Sequence, residues 1–480
     1  MKLQRKIAFN TIIQILSKLI ATLVGLISIG IITRYLGSTG FGEYTTIITF
    51  LSFFGIIADL GLTLITVQMI SQSGVDEKKV LGNLFGLRLV SALFFIGLAP
   101  IVVLAFPYSA GVKSGVLIAS LSFIFIALNQ ILVGLFQKNL RMDKVSIAEI
   151  TSRISLLFFT IMAVKLGWGL KGILSAMVLS SGISFILHYI FSKKFVFIRP
   201  LFDFNFWKKI ILLSWPLALT IFFNLIYLKS DTLFLSIIPR PSEIGIFAEV
   251  GIYGAAYKVI DVLITLPFMF SGIVLPILSK RWAEGDKEGF NYVMQKSFDL
   301  MAIFAIPLAF GAQFVSRDIM VLVAGEDFSA SGDILKILIL AASLIFLGNI
   351  SAHAIIAINK QKKIIKAYIF VAITSLFGYL IFIPYFSYFG AALITIYSEL
   401  FIALTSIYLI KKYTGFVPSA NVLIKSFLAS FLMGICIYLV QNYISPNLYL
   451  VLGTGILSYG GFIYLFRGIR KEDVLDLIGR

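Results

Sequence analysis

Apolar residues run for about twenty positions at a time along nearly the whole chain, the length at which a helix crosses the hydrocarbon core of a bilayer. Fourteen such runs predict helices near 11–33, 43–69, 81–105, 115–137, 147–167, 170–192, 210–238, 246–272, 290–313, 334–358, 367–384, 388–410, 422–444 and 447–466. In lipid each segment must close its own backbone hydrogen bonds. Runs of this length therefore read as helices, not as the alternating segments of about ten residues found in barrels. The expected fold class is an all-α polytopic membrane protein with about 14 transmembrane helices. An even number of crossings returns both termini to one side. The first run follows MKLQRK and is too long for a signal-peptide core, so it is expected to be an uncleaved helix.

Composition agrees with the pattern. Hydrophobic residues make up 59% of the 480 positions and charged residues 13%, with a mean hydropathy of +1.00. The formal net charge of +17 looks at first like a nucleic-acid signal. Of the 40 Lys and Arg residues, however, 26 fall in the N-terminus, the C-terminus and the loops on the same side. Six (Arg34, Lys113, Lys165, Lys171, Arg240 and Arg317) fall on the other side, Lys165 and Lys171 at the very ends of their runs, and the remaining eight lie further inside the apolar runs. By the positive-inside rule both termini are cytoplasmic and the charge is mainly a topology signal; no nucleic-acid partner is expected. Trp168, Trp207 and Trp282 fall near predicted membrane edges, where interfacial anchors belong.

The loops are short, so no extramembrane domain is expected to hold a nucleotide or a catalytic site. The single cysteine, Cys436, and two histidines, His188 and His353, exclude a disulfide framework and a Cys- or His-rich metal site. No catalytic residue, metal or cofactor is expected, and an enzyme such as a repeat-unit polymerase lacks the clustered carboxylates or large outer loop it would need. A short echo links Phe41-Gly42-x-Tyr44, opening the second helix, to Val250-Gly251-x-Tyr253, opening the eighth. This suggests two related six-helix lobes of the parallel-repeat kind: residues 1–209 and 210–412, with 413–480 adding two helices and a cytoplasmic tail.

The chemistry lies in the polar residues that interrupt the runs. An ionic side chain at mid-bilayer costs at least about 2.5–3.5 kcal/mol, so each needs a reason. Lys296, Lys336 and Lys425 sit near helix ends and are expected to snorkel. Glu149 and Arg153 are four apart, acid first, which predicts a local pair. Elsewhere polar residues form stripes at helical spacing: Gln14, Lys18, Thr22 and Gly25; Ser52, Gly55, Asp59, Thr63 and Thr66; Thr220, Asn224, Tyr227 and Asp231; Lys258 and Asp261; Thr395, Glu399 and Ser406. Lys229 and Asp231 are two apart and cannot meet on one helix. Several cations facing a water-filled cavity suit an anionic cargo, and acids among them become candidates for a proton or cation site.

The run RYLGSTGFGEYT (Arg34 to Thr45), with ADLGLT (Ala58 to Thr63), YLKSDTLFLS in the seventh helix and VGIYGAAYK (Val250 to Lys258), resembles the polysaccharide-transporter branch of the multidrug/oligosaccharidyl-lipid/polysaccharide exporter superfamily. These are the flippases of O-antigen, capsule and teichuronic acid type, and the likeness extends over nearly the whole chain. It implies two six-helix lobes in a V with alternating access. It also implies transfer of undecaprenyl-diphosphate-linked oligosaccharide units from the cytoplasmic to the outer leaflet for cell-surface polysaccharide biosynthesis. The setting would be the cytoplasmic membrane of a prokaryote, with a proton or sodium gradient as driving force. A monomer is expected, with the polysaccharide polymerase machinery as a partner. On this reading Lys18, Arg34, Arg88, Arg153, Lys229 and Lys258 are the candidate headgroup contacts, and Asp59, Asp231, Asp261 and Glu399 the candidate ion-coupling acids. Many relatives carry a basic residue nine positions after the Asp of Asp-Leu-Gly; here Gln68 stands there, so no contact is assigned to it. Gly37, Gly40 and Gly42 suit a tight turn between the first two helices. The competing readings are a drug or metabolite antiporter of the same superfamily, which would favour an acid-dominated cavity, and a peptidoglycan-precursor flippase.

Overall fold

A computed structural model describes residues 2–71 and 75–468. The side chains of Thr220 and Asn224, and the tail beyond residue 468, lie outside the described residues. Among those described, helices account for the regular structure: α1 (Lys2–Asp59), α2 (Leu62–Ile70), α3 (Glu77–Ser91), α4 (Gly97–Val102), α5 (Ala110–Lys138), α6 (Met142–Lys165) and α7 (Gly169–Ser192), then α8 (Phe204–Ile237), α9 (Ile246–Ala283), α10 (Lys287–Ala324), α11 (Ser331–Ala357), α12 (Gln361–Thr414), α13 (Asn421–Tyr443) and α14 (Leu448–Leu465).

A straight helix of 58 residues would be about 87 Å long, nearly three bilayer cores. α1 instead breaks at Gly37 (φ 65°, ψ −178°), a left-handed conformation open to glycine, and so supplies two crossings. α12 breaks likewise at Ser387, three residues after Pro384. Eleven helical segments, these two included, are long and apolar enough to cross a membrane. With both breaks counted and the 34-residue α8 added, the fold matches about 14 spans.

The second crossing is itself interrupted. α1 stops at Asp59, Leu60 and Gly61 take positive φ (49° and 76°), and α2 resumes at Leu62. The expected continuous helix over 43–69 is thus two pieces. A Cβ on Gly61 would stand 2.7 Å from the Ser214 carbonyl oxygen, so the bare residue also admits α8. The third crossing is irregular too: α3 passes through a π-turn at Ala92–Ile96 before α4, a local widening of the helix often found at functional positions.

The chain divides into two compact units, Met1–Gly251 and Ile252–Arg480. In the first, one apolar cluster joins α2, α3, α5 and the start of α8 around Leu84, Leu132 and Ile198. A second joins α1, α5 and α7 around Leu51, Val116 and Leu174. The echoed glycines meet here. A Cβ on Gly42 would stand 3.0 Å from the Gly251 nitrogen, and one on Gly251 3.0 Å from the Gly42 nitrogen, with the Phe247 and Ser38 carbonyls closer still. The two helices cross backbone to backbone. In the second unit, α10, α13 and α14 share a cluster of Val315, Met433, Ile437 and Val451.

Candidate functional site

The break in the second crossing leaves carbonyls at the end of α1 without helical partners. Arg88 of α3, 1% exposed, fills that gap. Its Nη1 lies 2.7 Å from Asp59 Oδ1 and donates to the Ala58 carbonyl at 3.1 Å. Its Nε donates to the Ala127 carbonyl at 3.0 Å, and its Nη2 donates to Gln130 Oε1. Ser91 Oγ donates to the same Ala58 carbonyl at 2.8 Å. Thr63 lies 2.5 Å from Asp59 Oδ1 and 2.8 Å from Gln130 Oε1. The one hydroxyl proton of Thr63 is thus shared between two acceptors, Asp59 and Gln130. Sequence reasoning placed Arg88 among headgroup contacts and Asp59 among coupling acids. The structure brings them together, buried, as a cap on a broken helix.

A second cluster in the same unit is half-exposed. Lys18 Nζ lies 3.4 Å from Glu149 Oε1, with side chains 44% and 31% exposed. Ser17 and Ser146 hydroxyls, 2.7 Å apart, fasten α1 to α6 one residue before and three before that pair, and Ser152 with Ser180 fastens α6 to α7. Arg153 is exposed; its Nη1 would lie 3.9 Å from a Cβ on Gly25, so the guanidinium rests beside bare helix backbone. Its charge also acts on Tyr44. The expected local pair between Glu149 and Arg153 is corrected: the carboxylate turns to Lys18 on another helix. Sequence reasoning missed His188, buried on α7, whose Nδ1 is 2.8 Å from the Ser184 carbonyl and whose Nε2 has no partner among the described residues. Glu149 acts on it electrostatically. Only its position four residues after Ser184, on the polar side of α7, could have marked it.

The remaining candidates are dispersed. Arg34 is exposed at the end of the first crossing and donates to the Gly30 carbonyl at 3.0 Å. On α8, Asp231 is 1% exposed and accepts from the Thr232 amide at 2.6 Å, while Lys229 is half-buried. Lys258 and Asp261 of α9 do meet, at 3.9 Å, both about a third exposed. Glu399 of α12 is 5% exposed, and its Oε1 has no partner among the described residues. One turn before it, Thr395 Oγ1 is 3.3 Å from the Tyr253 hydroxyl. Lys336 pairs with Asp333 at 2.9 Å and Lys425 reaches the Arg467 carbonyl at 3.2 Å, as groups near helix ends can. Trp168 is 52% exposed, but Trp207 is buried between Phe202 and Phe204, packed inward where an interfacial anchor was expected. No cluster of three or more His, Cys, Asp or Glu suited to a metal occurs among the described residues.

The second unit also contains an apolar cavity of about 420 Å³ between α9, α10, α11, α13 and α14, lined by Leu263, Phe304, Pro307, Ile339, Met433 and Leu452 among others. Tyr459 on its wall turns its hydroxyl to the Ile303 carbonyl at 2.8 Å. The two C-terminal helices, which sequence reasoning treated only as an addition, thus build one side of it.

Residues 7–282 match the family described as "Polysaccharide biosynthesis protein", and residues 256–459 match the one described as "Lipid II flippase MurJ". None of the curated protein sequences matches. Similar solved structures include a lipid II flippase MurJ in an inward closed conformation, at 18% identity and a TM-score of 0.76, covering 94% of this chain and 98% of that one. A multidrug resistance MATE family transporter of the MOP superfamily, inward-facing, is 16% identical with a TM-score of 0.65, covering 82% and 94%. A MOP superfamily transporter from Pyrococcus furiosus is 14% identical with a TM-score of 0.57, covering 85% and 95%. At these identities the likeness is one of fold.

Proposed function

The chain belongs to the polysaccharide biosynthesis protein family, and from that premise we propose that it is a flippase. Its cargo would be undecaprenyl-diphosphate-linked oligosaccharide repeat units, moved from the cytoplasmic to the outer leaflet by alternating access of residues 1–209 and 210–412. The observation that carries this reading is the half-exposed cluster of Lys18, Glu149 and Arg153. Two cations beside a single carboxylate, which pairs with Lys18 alone, leave net positive charge for a diphosphate, which takes several charge-assisted hydrogen bonds at once. The apolar cavity of the second unit supports the same substrate class, since a polyprenyl lipid has a long apolar tail to seat. Lys258, balanced by Asp261, and Lys229 and Arg34 are secondary contacts on this reading.

Coupling to a proton gradient would use Glu399. Its carboxyl is buried and its Oε1 has no hydrogen-bond partner among the described residues, and an intramembrane acid in such a setting is a candidate for taking up a proton in one state and releasing it in another. Asp59, Asp231 and Asp261 remain the other candidate acids. The chain would act as a monomer in the cytoplasmic membrane, both termini inside, delivering product to a polymerase.

The match of residues 256–459 to the lipid II flippase family favours one second reading, a peptidoglycan-precursor flippase. Reconstitution in proteoliposomes with both labelled lipids separates the two. Movement of the repeat-unit lipid, dependent on an imposed gradient, supports the proposal. Movement of lipid II alone transfers the assignment to the second reading. Movement of neither, with export of a small organic cation, transfers it to the drug-antiporter branch.

A further inference from the structure

The chain leaves α7 and enters α8 through KKFVFIRPLFDFNFWKK, residues 193–209, of which 193–203 link the two helices and 204–209 open α8. This segment is an ordered strap. Leu201 N donates to the Gly82 carbonyl at 2.9 Å, and Asp203 N donates to Asn83 Oδ1 at 3.1 Å. Gly82 and Gly86 make room for it: a Cβ on Gly82 would meet the Arg199 carbonyl oxygen at 2.8 Å, and one on Gly86 would strike that of Leu201. Residues alternate as in an extended chain. Val196 and Ile198 are buried in the core of the first unit, while Phe197 and Arg199 face out.

The outward face carries two kinds of chemistry. Phe197, Phe202 and Phe204 are 46%, 55% and 74% exposed. Beside them stand five cations: Lys193, Lys194, Arg199, Lys208 and Lys209. None of the five has a carboxylate partner among the described residues. The one acid of the strap, Asp203, accepts from Phe206 N at 3.1 Å as the cap of α8. Two of them, Lys193 and Arg199, lean on rings instead. Lys193 Nζ is 5.1 Å from the Tyr189 ring centre and 6.0 Å from that of Phe197. Arg199 Cζ is 4.9 Å from Phe197. Phe197 therefore holds two cations near one ring, on a backbone pinned to α3.

From this juxtaposition we infer that the strap is a binding site for the headgroups of anionic phospholipids in the leaflet on the side of the termini. The rings enter the headgroup region as interfacial aromatics do, and the preset cations take a phosphodiester. Each basic group near an anionic surface strengthens such binding several-fold. The inference rests on the orientation given by the Lys and Arg distribution, not on the flippase reading, so either can fail without the other.

The test is native mass spectrometry of the full chain after delipidation, with phosphatidylglycerol and phosphatidylcholine added in turn. Expected is retention of phosphatidylglycerol in preference to phosphatidylcholine. The triple substitution Lys193→Gln, Lys194→Gln and Arg199→Gln should weaken that retention about a hundredfold, through removal of the three charges. All three side chains are exposed, so the variant should fold and elute as wild type. Phe197→Ala keeps every charge and should weaken retention less, by about tenfold or under. Equal retention of the two lipids by the wild type overturns the proposal. So does an anionic preference that survives the triple substitution. Displacement of the lipid by inorganic diphosphate at similar concentration also overturns it, because the site would then take soluble phosphate.

Discussion

The guanidinium of Arg88 lies 2.7 Å from the carboxylate of Asp59 and donates to the carbonyl of the residue before it. The pair therefore closes a helix that would otherwise end with unpaired backbone inside the membrane. Removing one partner of such a buried pair typically costs about 3–5 kcal/mol. Arg88→Leu should accordingly lower thermal stability in detergent, read by fluorescence-detected size exclusion after heating. Arg88→Lys, which cannot reach four acceptors at once, should recover only part of the loss. A fully stable Arg88→Leu would show that the cap is dispensable.

Lys18, its side chain 44% exposed, and the exposed Arg153 contrast with the buried Arg88. Replacing either by Ala should spare the fold and weaken cargo binding, by about 10- to 100-fold for each charge-assisted hydrogen bond removed. Glu149→Gln should act in the opposite sense, freeing Lys18 for the diphosphate and tightening binding while slowing release. Titration with a short-tailed diphosphate lipid checks both. Equal affinity in all three variants would remove this cluster from the binding site.

Glu399→Gln replaces a carboxyl by a neutral group of the same shape. Because no cation is left stranded, stability should change by less than about 1.5 kcal/mol. Flipping should persist in rate but lose its dependence on an imposed pH gradient. Gradient dependence that is intact in this variant would shift attention to Asp231 and Asp261.

Gly42 and Gly251 leave no space for a side chain between their helices. Gly42→Leu should reduce the amount of folded protein recovered from membranes severalfold, as an overpacked crossing costing about 1–3 kcal/mol would. Gly97, which has open space around it, supplies the control: Gly97→Ala should be recovered at wild-type levels.

Helix number was legible in the sequence because the length of an apolar run answers to the thickness of the bilayer. Helix ends were less so. α9 continues to Ala283 and α10 to Ala324, past the expected ends at 272 and 313, since a helix leaving the membrane still satisfies its own backbone. The Asp-Leu-Gly motif could be read, but the break it makes could not, because Leu60 has no intrinsic preference for positive φ. The partner of Glu149 was misassigned for a related reason: spacing along one helix specifies which neighbours are reachable, not which distant helix offers a better one. Lys258 and Asp261 met as their spacing requires. Direction was the least legible property. Arg88 and Lys18 look alike in a hydropathy profile, yet one is sealed in the core and the other is open.

The cavity between α10, α13 and α14 has one more consequence. In water an apolar hollow attracts an apolar tail by expelling solvent, but in a bilayer the tail already sits among hydrocarbon, and the hydrophobic effect gives it no reason to move. Bulk acyl chains compete for the same space in large excess. Occupancy by a polyprenyl chain would then depend on how its regularly spaced methyl branches fit the walls, and on the headgroup fixing one end in place. A lipid with the same headgroup and a straight chain of equal carbon number is thus the most informative competitor.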